Sequence, residues 1–445
     1  MVKFLKENLA VGFMLFALFL GAGNIIFPPS LGQQAGSEYI PAMIGFLITG
    51  VGLPLMGIVA VALNGGDLQE VSKRVHPVFG IIFTSVVYLS IGPLFAIPRT
   101  GATTYSIGVA PFLSAEAQSG WMPLFFTTLI FFALVLFLAL NPSKLIDRVG
   151  KVLTPLLLLV IVLLAVKSFI TPIGPIGDAQ GPYVTQAFSK GFTEGYLTLD
   201  VLASLVFGIL IVQSLAANGI KNRIKQVKMT INAGIIAALG LAFVYISLAY
   251  IGVTSPSVTG YLSDGGSIIA ESSRVLYGSA GNIILSAVII LACLTTAIGL
   301  VAANATFFNK LFPKLSYQLL VVVFTVFSFL ISNFGLANLI KITLPVLMFI
   351  YPITIVLMLL VMFDKLFDRR PIVYALALIP TAFIGLYDGL STAGIKIGWY
   401  SKLINSLPLA EQSLGWLLPA VIGLVIGWII HLLTKSSYQL KMSTK

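Results

Sequence analysis

Charge is scarce in this chain: Asp, Glu, Lys and Arg make up 9% of 445 residues, while 58% are hydrophobic. A soluble domain carries about 25% charged residues, so a fold facing water on all sides is excluded. Cysteine is almost absent. Cys293 stands alone, which rules out a disulfide framework and makes the redox compartment uninformative. Histidine is nearly as rare, with only His76 and His431, and neither lies near a Cys or an acidic cluster. Zinc-ligand spacing, a phosphate-binding glycine loop and a nucleophile elbow are all missing. No catalytic dyad stands out, so an enzyme is not expected, and neither is a cofactor.

What the chain has is apolar length, with a mean hydropathy of +1.03. A spanning helix needs about 20 largely apolar residues. Against that template about twelve segments stand out, over 9–34, 40–63, 77–110, 121–140, 149–170, 189–214, 228–253, 279–309, 315–333, 338–363, 372–390 and 414–434. They are called segments 1 to 12 below. The loops are short and leave no room for a soluble catalytic domain, so an all-α membrane protein is expected.

The net charge of +11 follows the bilayer rather than any nucleic acid. With an even number of spans, one side collects Lys73, Arg74, Lys144, Lys221, Arg223, Lys310, Arg369, Arg370, Lys445 and their neighbours; the other holds Lys190, Arg274, Lys396 and Lys402. The positive-inside rule then makes both termini cytoplasmic. The basic start and apolar run lack a small-residue cleavage site, and retention of the amino terminus is expected.

Segment 1 breaks its own helix. After an apolar run to Leu20 it reads Gly21-Ala22-Gly23-Asn24-Ile25-Ile26-Phe27-Pro28-Pro29. Lipid offers no partner for a lost backbone bond, so an unwound stretch survives only where it lines a cavity. Gly21 or Gly23 is expected to end one half-helix and Pro28 and Pro29 to fit the first turn of the next, whose positive end then faces the break. Segment 6 carries Gly191, Gly195, Thr198, Asp200 and Gly208 where a clean apolar run would stand. Interruptions five segments apart suggest two five-helix halves of inverted topology, with a substrate site between their broken helices. The chain then divides into 1–170 and 189–363 as the halves, 171–188 as an outer connecting loop, and 364–445 as two further helices and a tail. The stretch Ser255 to Tyr277 reads equally as a lid helix or a surface loop.

Few polar residues stand inside the spans. Asp200 is an acid near the centre of segment 6, where a charge costs about 2.5–3.5 kcal/mol on insertion scales and usually marks a substrate, ion or proton path; the bland alternative is a protonated packing residue. Thr295 and Thr296 pair hydroxyls in segment 8. Alone they read as helix back-bonding, but beside a broken helix they supply the hard oxygens that a small cation needs. Arg99 follows Gly92-Pro93-Leu94-Phe95-Ala96-Ile97-Pro98 in a loosened segment 3. It reads either as a residue snorkelling to headgroups at the outer end, or as a gate paired with Asp388 or Glu194.

With these residues the chain resembles the bacterial branched-chain amino acid:cation symporters over essentially its whole length. The Gly-Ala-Gly-Asn-Ile-Ile-Phe-Pro-Pro stretch, the Gly-Pro…Ile-Pro-Arg stretch and Gly195-Tyr196-Leu197-Thr198-Leu199-Asp200 look like that family's hallmarks. More distantly, segment 1 and the Thr pair are similar to sodium-coupled symporters with the broken-helix, five-plus-five fold of the amino acid-polyamine-cation superfamily. The resemblance implies a sodium among the carbonyls of Ala17, Leu20 and Ala292 and the hydroxyls of Thr295 and Thr296. It implies that a substrate carboxylate meets the amides of Gly21, Ala22, Gly23, Asn24 and Ile25, and its ammonium the carbonyls from Thr198 through Leu199 and Asp200 to Leu202. An apolar pocket would select leucine, isoleucine and valine and separate them poorly, one methylene being worth about 1–3 kcal/mol. Some relatives hold a second sodium through a segment 7 asparagine. Here Asn232 lies near the cytoplasmic end, so Asp200 is left to hold the ammonium or carry a proton. Symport with sodium is the expectation, with proton coupling or a channel as the alternatives.

Overall fold

The computed structural model describes residues 2–65, 67–140, 145–217, 219–220 and 222–443. Lys144, Lys221 and Lys445 of the charge pattern lie outside them. Every one of the twelve segments is helical, and no strand occurs among the described residues. Eight helical stretches there are long and apolar enough to cross a membrane, with shorter apolar helices at Asn8–Phe19, Pro155–Ile170 and Tyr317–Ser332.

The local chemistry is that of helices in lipid. Pro371 opens segment 11, where its missing amide hydrogen costs nothing. Asp264 caps the helical stretch that leads into segment 8, accepting from the Ser267 amide at 3.0 Å, and Ser316 caps segment 9. Many polar side chains bond back to their own helices, as Thr354 does to the Ile350 carbonyl at 2.9 Å, which satisfies the donor without a partner from another helix. Phe126, Ile130 and Phe137 on segment 4 are exposed, an apolar face suited to lipid.

Compactness divides the chain into two units, each drawing on both proposed halves. The first comprises Met1–Val51, Tyr88–Leu199 and Ile235–Lys341. In it segment 3 (Ala96–Gly108) lies along segment 8 (Gly265–Leu311), and the start of segment 2 (Tyr39–Leu47) packs on the first helix of segment 6 (Tyr183–Glu194). That last contact is backbone-close: a Cβ on Gly191 would stand 1.9 Å from the Ala42 carbonyl oxygen.

The second unit comprises Gly52–Val87, Asp200–Gly234 and Ile342–Lys445. Segments 11 and 12 pack on each other, as do Leu53–Leu63 and the second helix of segment 6, Asp200–Ala217. Its loops are tied by Asp364, which is buried and pairs with Arg74 and, at 3.3 Å, with Arg369.

The stretch Ser255 to Tyr277 resolves into a short helix, Pro256–Thr259, and the first part of the segment 8 helix, which breaks at Gly278 with φ 67°.

Candidate functional site

Segment 1 is two helices, Val2–Phe19 and Ala22–Ala35, with Leu20 and Gly21 between them. The second starts earlier than its prolines suggested. Pro28 and Pro29 stand inside it rather than in its first turn, because the break is made upstream by a side chain. Asn24, 2% exposed, accepts from the Gly21 amide at 3.0 Å. In a continuous helix that amide would reach the Ala17 carbonyl; diverted, it leaves the carbonyls of Ala17 and Leu20 in a final turn without helical partners. The Asn24 amide group in turn donates to the buried Tyr245 hydroxyl of segment 7, whose ring packs edge-on against Phe46 with centroids 5.3 Å apart.

Segment 6 breaks by a different device. Its first helix passes into a tight turn over Gly195–Thr198, and Leu199 takes a left-handed conformation with φ 66°. A leucine there costs about 1–2 kcal/mol, strain of the sort kept at functional sites. The Thr198 hydroxyl donates to the Gly195 carbonyl at 2.9 Å. Asp200, 2% exposed, starts the next helix, where a carboxylate is favoured by the orphan amides; Leu202, two residues on, is fully buried.

Arg99 joins the two breaks. It is 6% exposed, which excludes the snorkelling position at the outer end. The reason is visible in segment 3: the helix is disrupted over Ser90–Leu94, with Gly92 at φ −103° and ψ −129°, and restarts at Ala96. Arg99 is therefore in the first turn of a new helix rather than at the end of a long one. Its Nη1 donates to the Leu197 carbonyl at 2.5 Å and its Nη2 to the Thr198 carbonyl at 3.5 Å, and Cζ lies 5.1 Å above the Phe27 ring. Gly23 allows this approach: a Cβ there would stand 2.4 Å from Nη2. Of the partners proposed for Arg99, Glu194 pairs with Lys190 at 2.6 Å, and Asp388 lines a cavity within its own unit.

Segment 8 brings the hydroxyl pair to the segment 1 break. Thr295 donates to the Ala292 carbonyl at 2.9 Å, placing two of the inferred sodium ligands side by side. A Cβ on Gly21 would meet the Thr296 methyl at 3.5 Å, so Thr296 faces the break itself. No group of three or more His, Cys, Asp or Glu able to hold a metal occurs among the described residues; neutral oxygens are what the site offers. Tyr245 and Phe27 were not singled out from sequence, since an aromatic in an apolar run carries no signal of its contact.

Broken helices around a buried polar centre define a multi-pass α-helical membrane protein of the kind that moves small solutes, and solved structures share the fold. Mhp1, a nucleobase-cation-symport-1 family transporter in a closed conformation with bromovinylhydantoin bound, aligns with TM-score 0.61 at 14% identity over 94% of this chain and 91% of its own. MhsT in complex with L-phenylalanine aligns at 0.53 and 16%, over 95% and 98%. The particular family is read from sequence: the profile of the branched-chain amino acid transport proteins matches residues 4–434, and the chain belongs to that family. It is 48% identical to the branched-chain amino acid permease BraB of Bacillus subtilis, over 98% of both chains. It is 46% identical to the branched-chain amino acid transport system 2 carrier protein of Pseudomonas aeruginosa, over 95% of both.

Proposed function

We propose that the chain imports leucine, isoleucine and valine across a bacterial cytoplasmic membrane in symport with sodium, by alternating access and with both termini inside. The observation that carries this reading is Arg99 reaching from Gly23 at one break to the carbonyls of Leu197 and Thr198 at the other. The names of the relatives support the substrate class.

The substrate carboxylate meets the first-turn amides at Ala22 to Asn24, a ready anion site. The Arg99 charge beside Gly23 reinforces it. Arg99 also alters the expectation for the ammonium, because it already occupies one side of the Leu197 and Thr198 carbonyls. Each carbonyl has a second lone pair, but a fixed cation there repels an ammonium, which moves its recognition toward Leu199 and Asp200. Sodium binds between the carbonyls of Ala17, Leu20 and Ala292 and the hydroxyls of Thr295 and Thr296. Proton coupling is the second reading, favoured by the burial of Asp200.

Uptake of labelled leucine into proteoliposomes at fixed pH separates them. Accumulation that needs an inward sodium gradient and collapses with a sodium ionophore is the expected result. Uptake driven by an acidic exterior and indifferent to sodium moves coupling to Asp200. Absence of concentrative uptake under both gradients overturns the transport of these substrates.

A further inference from the structure

Segment 11 carries an acid that the site described above does not use. Asp388 is 6% exposed, and its Oδ2 is buried with no hydrogen-bond partner. Its backbone carbonyl is engaged, accepting from the Thr392 hydroxyl at 2.7 Å. A carboxylate held out of water without a donor is costly, and an acid inside a spanning segment normally faces a partner or a path. Asp388 lines an open pocket of about 340 Å³, bounded within the second unit by the end of segment 11, the short helix Gly398–Ile404 and the turn Ala410–Gln412.

The walls say what the cavity suits. Lys396, Ser401, Asn405 and Glu411 line it with Asp388. The Tyr387 hydroxyl donates to Asn405 Oδ1 at 3.1 Å, which leaves the amide hydrogens of Asn405 as donors. Lys396 and Glu411 form no ion pair among the described residues. At about 30 Å³ per water, the volume far exceeds a bare cation, and no group of three or more His, Cys, Asp or Glu able to hold a metal occurs among the described residues, which leaves fewer carboxylates than a Ca²⁺ site usually gathers. The polar groups suit a charged head, whose aliphatic body can extend through the open side of the pocket. A buried acid with a lysine and a donor amide in the same cavity complements a small group that carries both signs of charge.

We propose that this cavity binds the head of a zwitterion, its primary ammonium on Asp388 and its anionic group on Lys396 and the Asn405 amide. Free amino acids and the phosphatidylethanolamine headgroup share that chemistry. The site uses no residue of segments 1, 3, 6 or 8, so it stands apart from the transport reading.

Protection of an engineered thiol tests it. In full-length Ser401→Cys protein in phosphatidylcholine vesicles, labelling by neutral N-ethylmaleimide reports the cavity, because Cys293 is buried at 1% exposure. Leucine at ten times its Kd slows labelling about tenfold, and 4-methylpentanoate, which lacks the ammonium, does not. Adding Asp388→Asn abolishes protection. Lys396→Gln, an exposed change, raises the leucine concentration for half protection severalfold and keeps the test open should Asp388→Asn fail to fold. Slowing by phosphatidylethanolamine vesicles alone, again lost with Asp388→Asn, assigns the lipid headgroup as the source. Labelling indifferent to both ligands, or protection that survives Asp388→Asn, overturns the proposal. Leucine uptake is measured separately, so failure here leaves the transport reading standing.

Discussion

The guanidinium of Arg99 lies so close to the Cα of Gly23 that a methyl group on Gly23 would stand 2.4 Å from Nη2 and 2.8 Å from Cζ. Gly21, two residues earlier, has ordinary room, with its nearest such contact at 3.5 Å and an extended backbone at φ −113°. The two glycines therefore answer differently to the same change. Gly23→Ala displaces Arg99 and costs about 1–3 kcal/mol of overpacking, read as a leucine KM raised at least about fivefold in vesicle uptake. Gly21→Ala keeps KM within about threefold, less than 1 kcal/mol. Equal effects would remove Arg99 from the substrate site.

Tyr245→Phe deletes the hydroxyl that accepts from Asn24. The expected loss is about 0.5–1.5 kcal/mol, seen as a lower unfolding midpoint in detergent. Because Asn24 sets the segment 1 break, sodium-dependent uptake falls as well. A stability loss with unchanged uptake would make the contact structural only.

Thr296→Ala removes one of the two segment 8 hydroxyls, from the residue whose methyl lies against Gly21. The sodium concentration for half-maximal uptake rises about tenfold, the scale of one contact to a charged group, while the ranking of leucine, isoleucine and valine is unchanged. Untouched sodium dependence would refute the five-oxygen cage.

Asp364→Asn weakens the tie to Arg74 and Arg369 in the second unit. Removing one partner of a buried pair costs up to about 3 kcal/mol. The measurement is the unfolding midpoint, which falls, with little change in leucine KM.

Gly191→Ala pushes a methyl to 1.9 Å from the Ala42 carbonyl oxygen, a backbone atom that cannot turn aside. Destabilisation of about 1–3 kcal/mol is expected, read by thermal unfolding.

The twelve segments were legible because lipid demands long apolar runs, and the segment 1 break because glycine and proline punctuate it. Its exact place was not. Proline position suggested a start near Pro28, whereas the Asn24 side chain moved the start to Ala22, a tertiary choice with no periodicity to betray it. Segment 6 showed its break through Gly195, Thr198 and Asp200, but not the device that makes it, the left-handed Leu199, because nothing in a leucine marks that conformation. Arg99 was noticed for its charge, but of its two readings the outer snorkelling position fell because the helix restarts at Ala96 and leaves the side chain buried. The contact between Asn24 and Tyr245 joins residues 221 apart, beyond the reach of local pattern.

The side-chain oxygen of Asn24, Oδ1, takes the place of the Ala17 backbone carbonyl at the Gly21 amide, one acceptor exchanged for another. Opening segment 1 therefore sacrifices little hydrogen bonding at that amide, and the kink behaves as a latch rather than a defect. While Asn24 is seated the helix cannot run on through this turn, because the Gly21 amide is withheld from Ala17.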